Sequence, residues 1–158
     1  MTPQKYQVKA KSFDCHPEHG YREAQVLGLI EELGEFAGKI CKAHRKQQDP
    51  ETRDLVLEAG DVIWRYCAIL SHDNFRFISH YELIKSQKTS RTSMSYLLQE
   101  CLVHAQLWTS HDRQVFDQSF GQILAKFCLN LDQILESNIN KLEGRQLRET
   151  IVGEGDER

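Results

Sequence analysis

Proline is absent from residues 51 to 158: the chain has only Pro3, Pro17 and Pro50. Glycine is sparse as well, at 9 of 158 residues. Proline breaks helices and glycine weakens them, and both are the usual material of tight turns. So long a proline-free stretch favours helices over a many-turned sheet. Apolar spacing agrees, because residues recur at the i, i+3, i+4, i+7 positions that make one helical face. One stripe runs from Val26 through Leu29, Leu33 and Phe36 to Ile40, and a second from Leu55 through Ala59, Val62, Tyr66 and Ile69 to Leu70. A third runs from Met94 to Trp108, and the longest from Phe116 through Phe120, Ile123, Phe127, Leu131 and Ile134 to Leu142. The spacing predicts four main helices, over 21–46, 52–71, 93–109 and 113–146, with a short one near Tyr6. Pro50 stands where the second would begin, a favoured place because the first helical turn has no internal N–H partners. Residues 1–158 read as a single all-α domain, with no linker that would divide it.

Composition narrows the function. The chain is 18.4 kDa, enough to bury a core without staples. With 20 Lys and Arg against 23 Asp and Glu, the net charge is -3 and the pI near 6.2. A general nucleic-acid coat needs a basic excess to displace counterions, so no nucleic-acid partner is expected. No run reaches the roughly 18 apolar residues of a membrane span, and Met1 to Lys11 lacks the apolar core of a signal peptide. The five cysteines, Cys15, Cys41, Cys67, Cys101 and Cys128, form no CxxC pair. Reduced thiols in a cytoplasmic protein are the simpler reading.

One short device occurs twice. Glu32-Leu33-Gly34-Glu35-Phe36 returns 26 positions later as Glu58-Ala59-Gly60-Asp61-Val62. Each copy sets two carboxylates at i and i+3, neighbours on one helical face. At about 100° per residue, each acidic pair has the same offset from the centre of its own apolar stripe. Helices packed antiparallel would then bring both pairs to one groove. Acids at helical spacing also make solvated faces, and that alternative stands beside the next. Four carboxylates facing one another repel unless neutralised, and a hard divalent cation such as Mg²⁺ favours oxygen ligands. Gly34 and Gly60, inside the repeats, lack a Cβ and would let a ligand or another backbone approach closely.

These residues resemble the MazG family of the all-α nucleoside triphosphate pyrophosphohydrolase superfamily. Its signature is ExxE on one helix and ExxD on the next, here Glu32-x-x-Glu35 and Glu58-x-x-Asp61 with 22 residues between them. Tyr6-Gln7 with Ala10 resembles the family's N-terminal helix, Leu27-Gly28-Leu29 the run into the first motif, and Asp61-Val62-Ile63-Trp64 the close of the second. Asn138-Ile139-Asn140-Lys141-Leu142 with Arg145 resembles N-x-x-K-L-x-x-R. Arg148, Gly153, Gly155, Asp156 and Arg158 resemble the tail of the phage-like branch, except that Glu149 stands where that branch has glycine. Arg65 departs from the usual apolar residue. Residues 71–112 form an insertion with an extra helix, and the tail from about 147 to 158 looks irregular.

The resemblance implies a four-helix-bundle-like fold and hydrolysis between the α and β phosphates of a nucleoside triphosphate. It implies Mg²⁺, or Mn²⁺ in its place, on Glu32, Glu35, Glu58 and Asp61, with Glu31 as base for the attacking water. It places Asn138, Lys141 and Arg145, at i, i+3 and i+7 of the last helix, on substrate phosphates. A homodimer or higher homo-oligomer is expected from the family and from apolar stripes wider than one partner helix covers. Phosphoribosyl-ATP pyrophosphohydrolase, and a non-catalytic helical interaction module on the same fold, are the alternatives. Trp64, Tyr66 and Trp108 are candidates for base stacking, although core aromatics are commoner. Cys15, His16 and His19 have loose metal spacing without a second half, and no P-loop is present.

Overall fold

Thr2 opens the first helix: its side chain accepts from the Lys5 N–H, and Pro3 occupies the first position, where no N–H is required. In the computed structural model, which describes residues 1–14, 20–77 and 92–148, every regular element is an α-helix. These are α1 (Pro3–Lys11), α2 (Tyr21–Arg45), α3 (Thr52–His72), α4 (Met94–Val103), α5 (Ser110–Lys126) and α6 (Leu131–Leu147). None is long and apolar enough to cross a membrane. The Cys15, His16 and His19 grouping and the tail residues Glu149, Gly153, Gly155, Asp156 and Arg158 lie outside the described residues.

The central pair is α2 and α3. They run in opposite directions, since Lys39 meets Asp54 and Glu58, Glu32 meets Arg65, and Arg22 meets Asp73. Their facing stripes, Leu29, Leu33 and Phe36 against Leu55, Ala59, Val62 and Ile69, are buried as the periodicity predicts. Helix α6 packs on α3, α1 lies across both, and α4 and α5 pair beside α2. An aromatic run ties α3 to α5 and α2: Tyr66 stacks on Phe116 (4.9 Å), Phe116 on Phe120 (6.0 Å), and Phe120 meets Phe36 edge-on (5.8 Å).

The expected helix over 113–146 is two helices, α5 and α6. The Leu129 N–H donates to the Leu124 carbonyl (3.0 Å) and the Cys128 N–H to Ala125 (3.1 Å), closing α5 in a Schellman turn with Cys128 at φ 53°. Asn130 then restarts the chain as an N-cap, accepting from the Gln133 N–H at 3.1 Å. Glycine normally fills the left-handed position, and another residue there costs about 1–2 kcal/mol. No glycine announces this break, and the apolar spacing continues across it. Gln47 and Asn74 end α2 and α3 with the same turn, at φ 54° and 60°.

The third expected helix, 93–109, is also shorter. It stops at Val103, and the chain turns through Ala105 and Leu107, both buried, to a new start at Ser110. That start is a capping box. The Asp112 N–H donates to Thr109 Oγ1 (3.0 Å), and the Thr109 N–H donates to Asp112 Oδ2 (2.8 Å).

Candidate functional site

Antiparallel packing of α2 on α3 brings the two acidic repeats together. Glu32, Glu58 and Asp61 each present a carboxylate oxygen, and these oxygens lie within 4.8 Å of one another. Among the described residues this is the one grouping of acids, histidines and cysteines close enough to share an ion. Glu35, on the same face of α2 as Glu32, falls outside that ligating distance. It still acts on the group, since its charge raises the pKa of both Glu32 and Glu58. Glu31 is exposed on α2 beside Glu32.

The carboxylates are poorly hydrated and mutually repelling. Burial, then the Asp61 charge, pushes Glu32 up to about 7, against the smaller opposing effects of Arg65 and Lys141. Burial likewise raises Glu58, although Lys39 holds it back. Each acid nevertheless has a cation. Lys39 Nζ lies 3.1 Å from Glu58, Arg65 Nε 3.7 Å from Glu32, and Lys141 Nζ 2.5 Å from Asp61. Three cations do not cancel the crowding and burial, because Glu32 still holds a proton more tightly than an ordinary carboxyl.

Asp61 is the most constrained of the three. It is 5 % exposed, and Asn138 Nδ2 donates to its Oδ1 (2.9 Å) while Lys141 donates to its Oδ2. Asn138 in turn accepts from the buried Tyr6 hydroxyl at 2.7 Å. Gly60 permits this approach: a Cβ there would stand 2.8 Å from the Asn138 Cβ. The close approach expected at Gly60 is thus present. Gly34 differs, since a Cβ there would meet nothing within 4 Å among the described residues. Asn138, 1 % exposed, faces Asp61 and Tyr6 rather than open space. Lys141 reaches the centre, and Arg145 lies half-buried one turn beyond it on α6.

Arg65 is the residue the sequence reading left out of the site. Its guanidinium crosses the notch made by Gly28, where a Cβ would sit 2.7 Å from Nε. Its Nη1 donates to Gln25 (3.1 Å), and its head lies 4.9 Å from the centre of the Trp64 ring. Nε is buried and has no hydrogen-bond partner among the described residues, since 3.7 Å to Glu32 is an ion pair only. The signal was available in Gly28 and in Arg65 four residues after Asp61, but only packing shows that they meet. Of the candidate stacking aromatics, Tyr66 is buried, Trp64 half-buried and Trp108 65 % exposed.

No family model matches this chain, and neither the curated proteins nor the solved structures provide a match. The all-oxygen donor set suits a hard divalent cation better than zinc or copper, which favour nitrogen and sulfur. A cation at the three oxygens would offset the burial and the repulsion that hold Glu32 near 7.

Proposed function

We propose that this chain is a MazG-like, divalent-metal-dependent hydrolase that splits nucleoside triphosphates into a monophosphate and pyrophosphate. The observation that carries the reading is the meeting of Glu32, Glu58 and Asp61 within 4.8 Å, with Glu32 driven up to about 7. Mg²⁺ or Mn²⁺ held by these three, with Glu35 at the rim, would polarise phosphate oxygens and acidify a water. Asn138 holds one Asp61 oxygen in place, and Tyr6 holds Asn138. Lys141 is placed to turn its ammonium from Asp61 to a phosphate oxygen, and Arg145 extends the same face of α6. Glu31, exposed and next to Glu32, accepts the proton of the attacking water. That water forms a new bond to the α phosphorus as the bridging oxygen leaves with pyrophosphate.

A two-fold dimer belongs to the same proposal. Leu27 and Ile30 on α2, and Tyr96 and Val103 on α4, are exposed apolar residues on the outer faces of their helices. The decisive experiment incubates the protein with each NTP and dNTP and Mg²⁺ in ¹⁸O-labelled water. Label in the monophosphate with unlabelled pyrophosphate supports the assignment. Orthophosphate and a diphosphate, or no turnover of any nucleotide, would remove it. A second reading rests on the three ion pairs, which suit a non-catalytic helical module held together by charge. Titration with Mn²⁺ separates the two, since such a module would not bind the ion.

A further inference from the structure

A groove of about 640 Å³ opens between the start of α3 and the outer face of α6, beside the acidic centre. Its volume falls in the range of small-molecule sites. Val56 and Leu57 form apolar lining, while Arg53, Gln133, Asn140 and Lys141 bring polar groups to it. Lys141 connects the two places: it lines the groove, and its ammonium bonds Asp61 in the acidic centre. The charges are segregated between them. Among the described residues no carboxylate lines the groove, although the chain as a whole is acidic at -3, and two cationic side chains do.

The lining also decides what kind of ligand fits. The side chains of Arg53, Gln133 and Asn140 have no hydrogen-bonding or ionic partner among the described residues, so their donors remain available. Among the described residues no aromatic side chain lines the groove, so they offer no platform there for a nucleobase, whose binding relies on stacking. Cationic and amide donors without aromatic rings or carboxylates suit a polyphosphate.

We propose that this groove receives the outer, β and γ, phosphates of the substrate and holds pyrophosphate after the bond breaks. The inference rests on the reading of the acidic centre given above and deepens it: Lys141 marks the boundary between the reacting phosphate and the leaving group. Arg53 and the Gln133 and Asn140 amides are the specificity residues for the tail, and the nucleoside lies on the other side of the centre.

Isothermal titration of the full chain in Mg²⁺ buffer with inorganic pyrophosphate, and separately with AMP, tests this directly. Arg53→Gln should weaken pyrophosphate binding about ten-fold, the loss of one charge-assisted contact, and adding Asn140→Ala should weaken it further. AMP binding should change less than about two-fold in both variants, a difference of under 0.5 kcal/mol. Because Arg53 and Asn140 are exposed, loss of the fold does not confuse the result. Unchanged pyrophosphate affinity in both variants would overturn the proposal, as would a loss confined to AMP or a wild-type protein that binds no pyrophosphate. Those outcomes leave the hydrolase reading standing if nucleotides are still split between α and β. Pyrophosphate binding through Arg53 without any turnover would instead retain the groove and remove the hydrolase.

Discussion

Near the start of α2, Arg22 grips Asp73 with Nε (3.1 Å) and Nη2 (3.0 Å), and His72 Nδ1 lies 2.9 Å from the same carboxylate. About three turns further along the same helix, Glu32 faces Glu58 and Asp61. Burial acts on both groupings, with opposite outcomes. At Asp73 burial works upward, but the Arg22 and His72 bonds outweigh it and the carboxyl titrates below its ordinary value. At Glu32 burial and neighbouring carboxylates prevail, and the group rises to about 7. Asp112 resembles Asp73: bonds from His104 and Thr109 pull it down to about 2. The contrast separates carboxylates whose partners are complete, and which build the fold, from carboxylates that still need positive charge. Perturbation in the unfavourable direction, in a grouping that joins two helices, marks the second kind.

The hardest way to break that contrast is to remove charge from the acidic centre. Asp61→Asn keeps the side-chain shape but removes an anion from the proposed ligand set. Turnover of nucleoside triphosphates should fall by about 1000-fold, while helical circular dichroism is retained. Glu58→Gln should behave alike. Wild-type rates in both variants would show that the carboxylates are structural, like Asp73.

Glu32 sharpens the comparison through pH. Its pKa is about 7 in the folded chain against an ordinary 4.5, so between these values the folded state binds a proton that the unfolded state does not. Its contribution is therefore full below 4.5 and is lost as pH rises through 7, about 3 kcal/mol in total. Chemical denaturation in EDTA should show stability falling over that window. Mg²⁺ should flatten the fall by taking the proton's place, and Glu32→Gln should remove Glu32's share of it, leaving that of Glu58, which burial also raises. Asp73 and Asp112 work the other way, stabilising above the usual carboxylate range and losing that effect as pH falls. A slope in EDTA that Glu32→Gln leaves unchanged would assign it to another group.

What could be read from sequence follows from which interactions are local. The two repeats and their phase against the apolar stripes depend on helical geometry alone, and with α2 packed antiparallel on α3 Glu32, Glu58 and Asp61 do meet. Lys39, Arg65 and Tyr6 reach the centre only through the way α1, α2 and α3 cross, which no spacing encodes. Asn138 was legible as a residue of interest, but its burial against Gly60 gives it Asp61 as partner in place of open space. The divided last helix stayed hidden because Cys128 takes a left-handed conformation usually left to glycine.

The two motif glycines look alike in sequence and differ in space. Gly60→Ala would drive a Cβ to 2.8 Å from the Asn138 Cβ, so the helices must shift or strain, at a cost of about 1–3 kcal/mol. Gly34→Ala meets nothing and should stabilise by about 0.5–1 kcal/mol, the ordinary helical preference. Thermal unfolding of both variants checks the pair. Equal effects of the same sign would mean that α3 and α6 do not approach through Gly60.

The smallest effect on the acidic centre is expected from the grouping whose partners are complete. Thr109→Ala removes the side chain that accepts the Asp112 N–H at the start of α5, and caps of this type are worth about 1 kcal/mol. Asp112 also accepts from Thr109 Oγ1 (2.8 Å), so its carboxyl should titrate higher in the variant, a shift NMR can follow. Since these residues serve α5 and not the α2–α3 groove, Mn²⁺ affinity and nucleotide turnover should remain within about two-fold of wild type. A large loss of either would show that the Asp112 grouping is coupled to the acidic centre. The division between carboxylates that build the fold and those of the acidic centre would then fail.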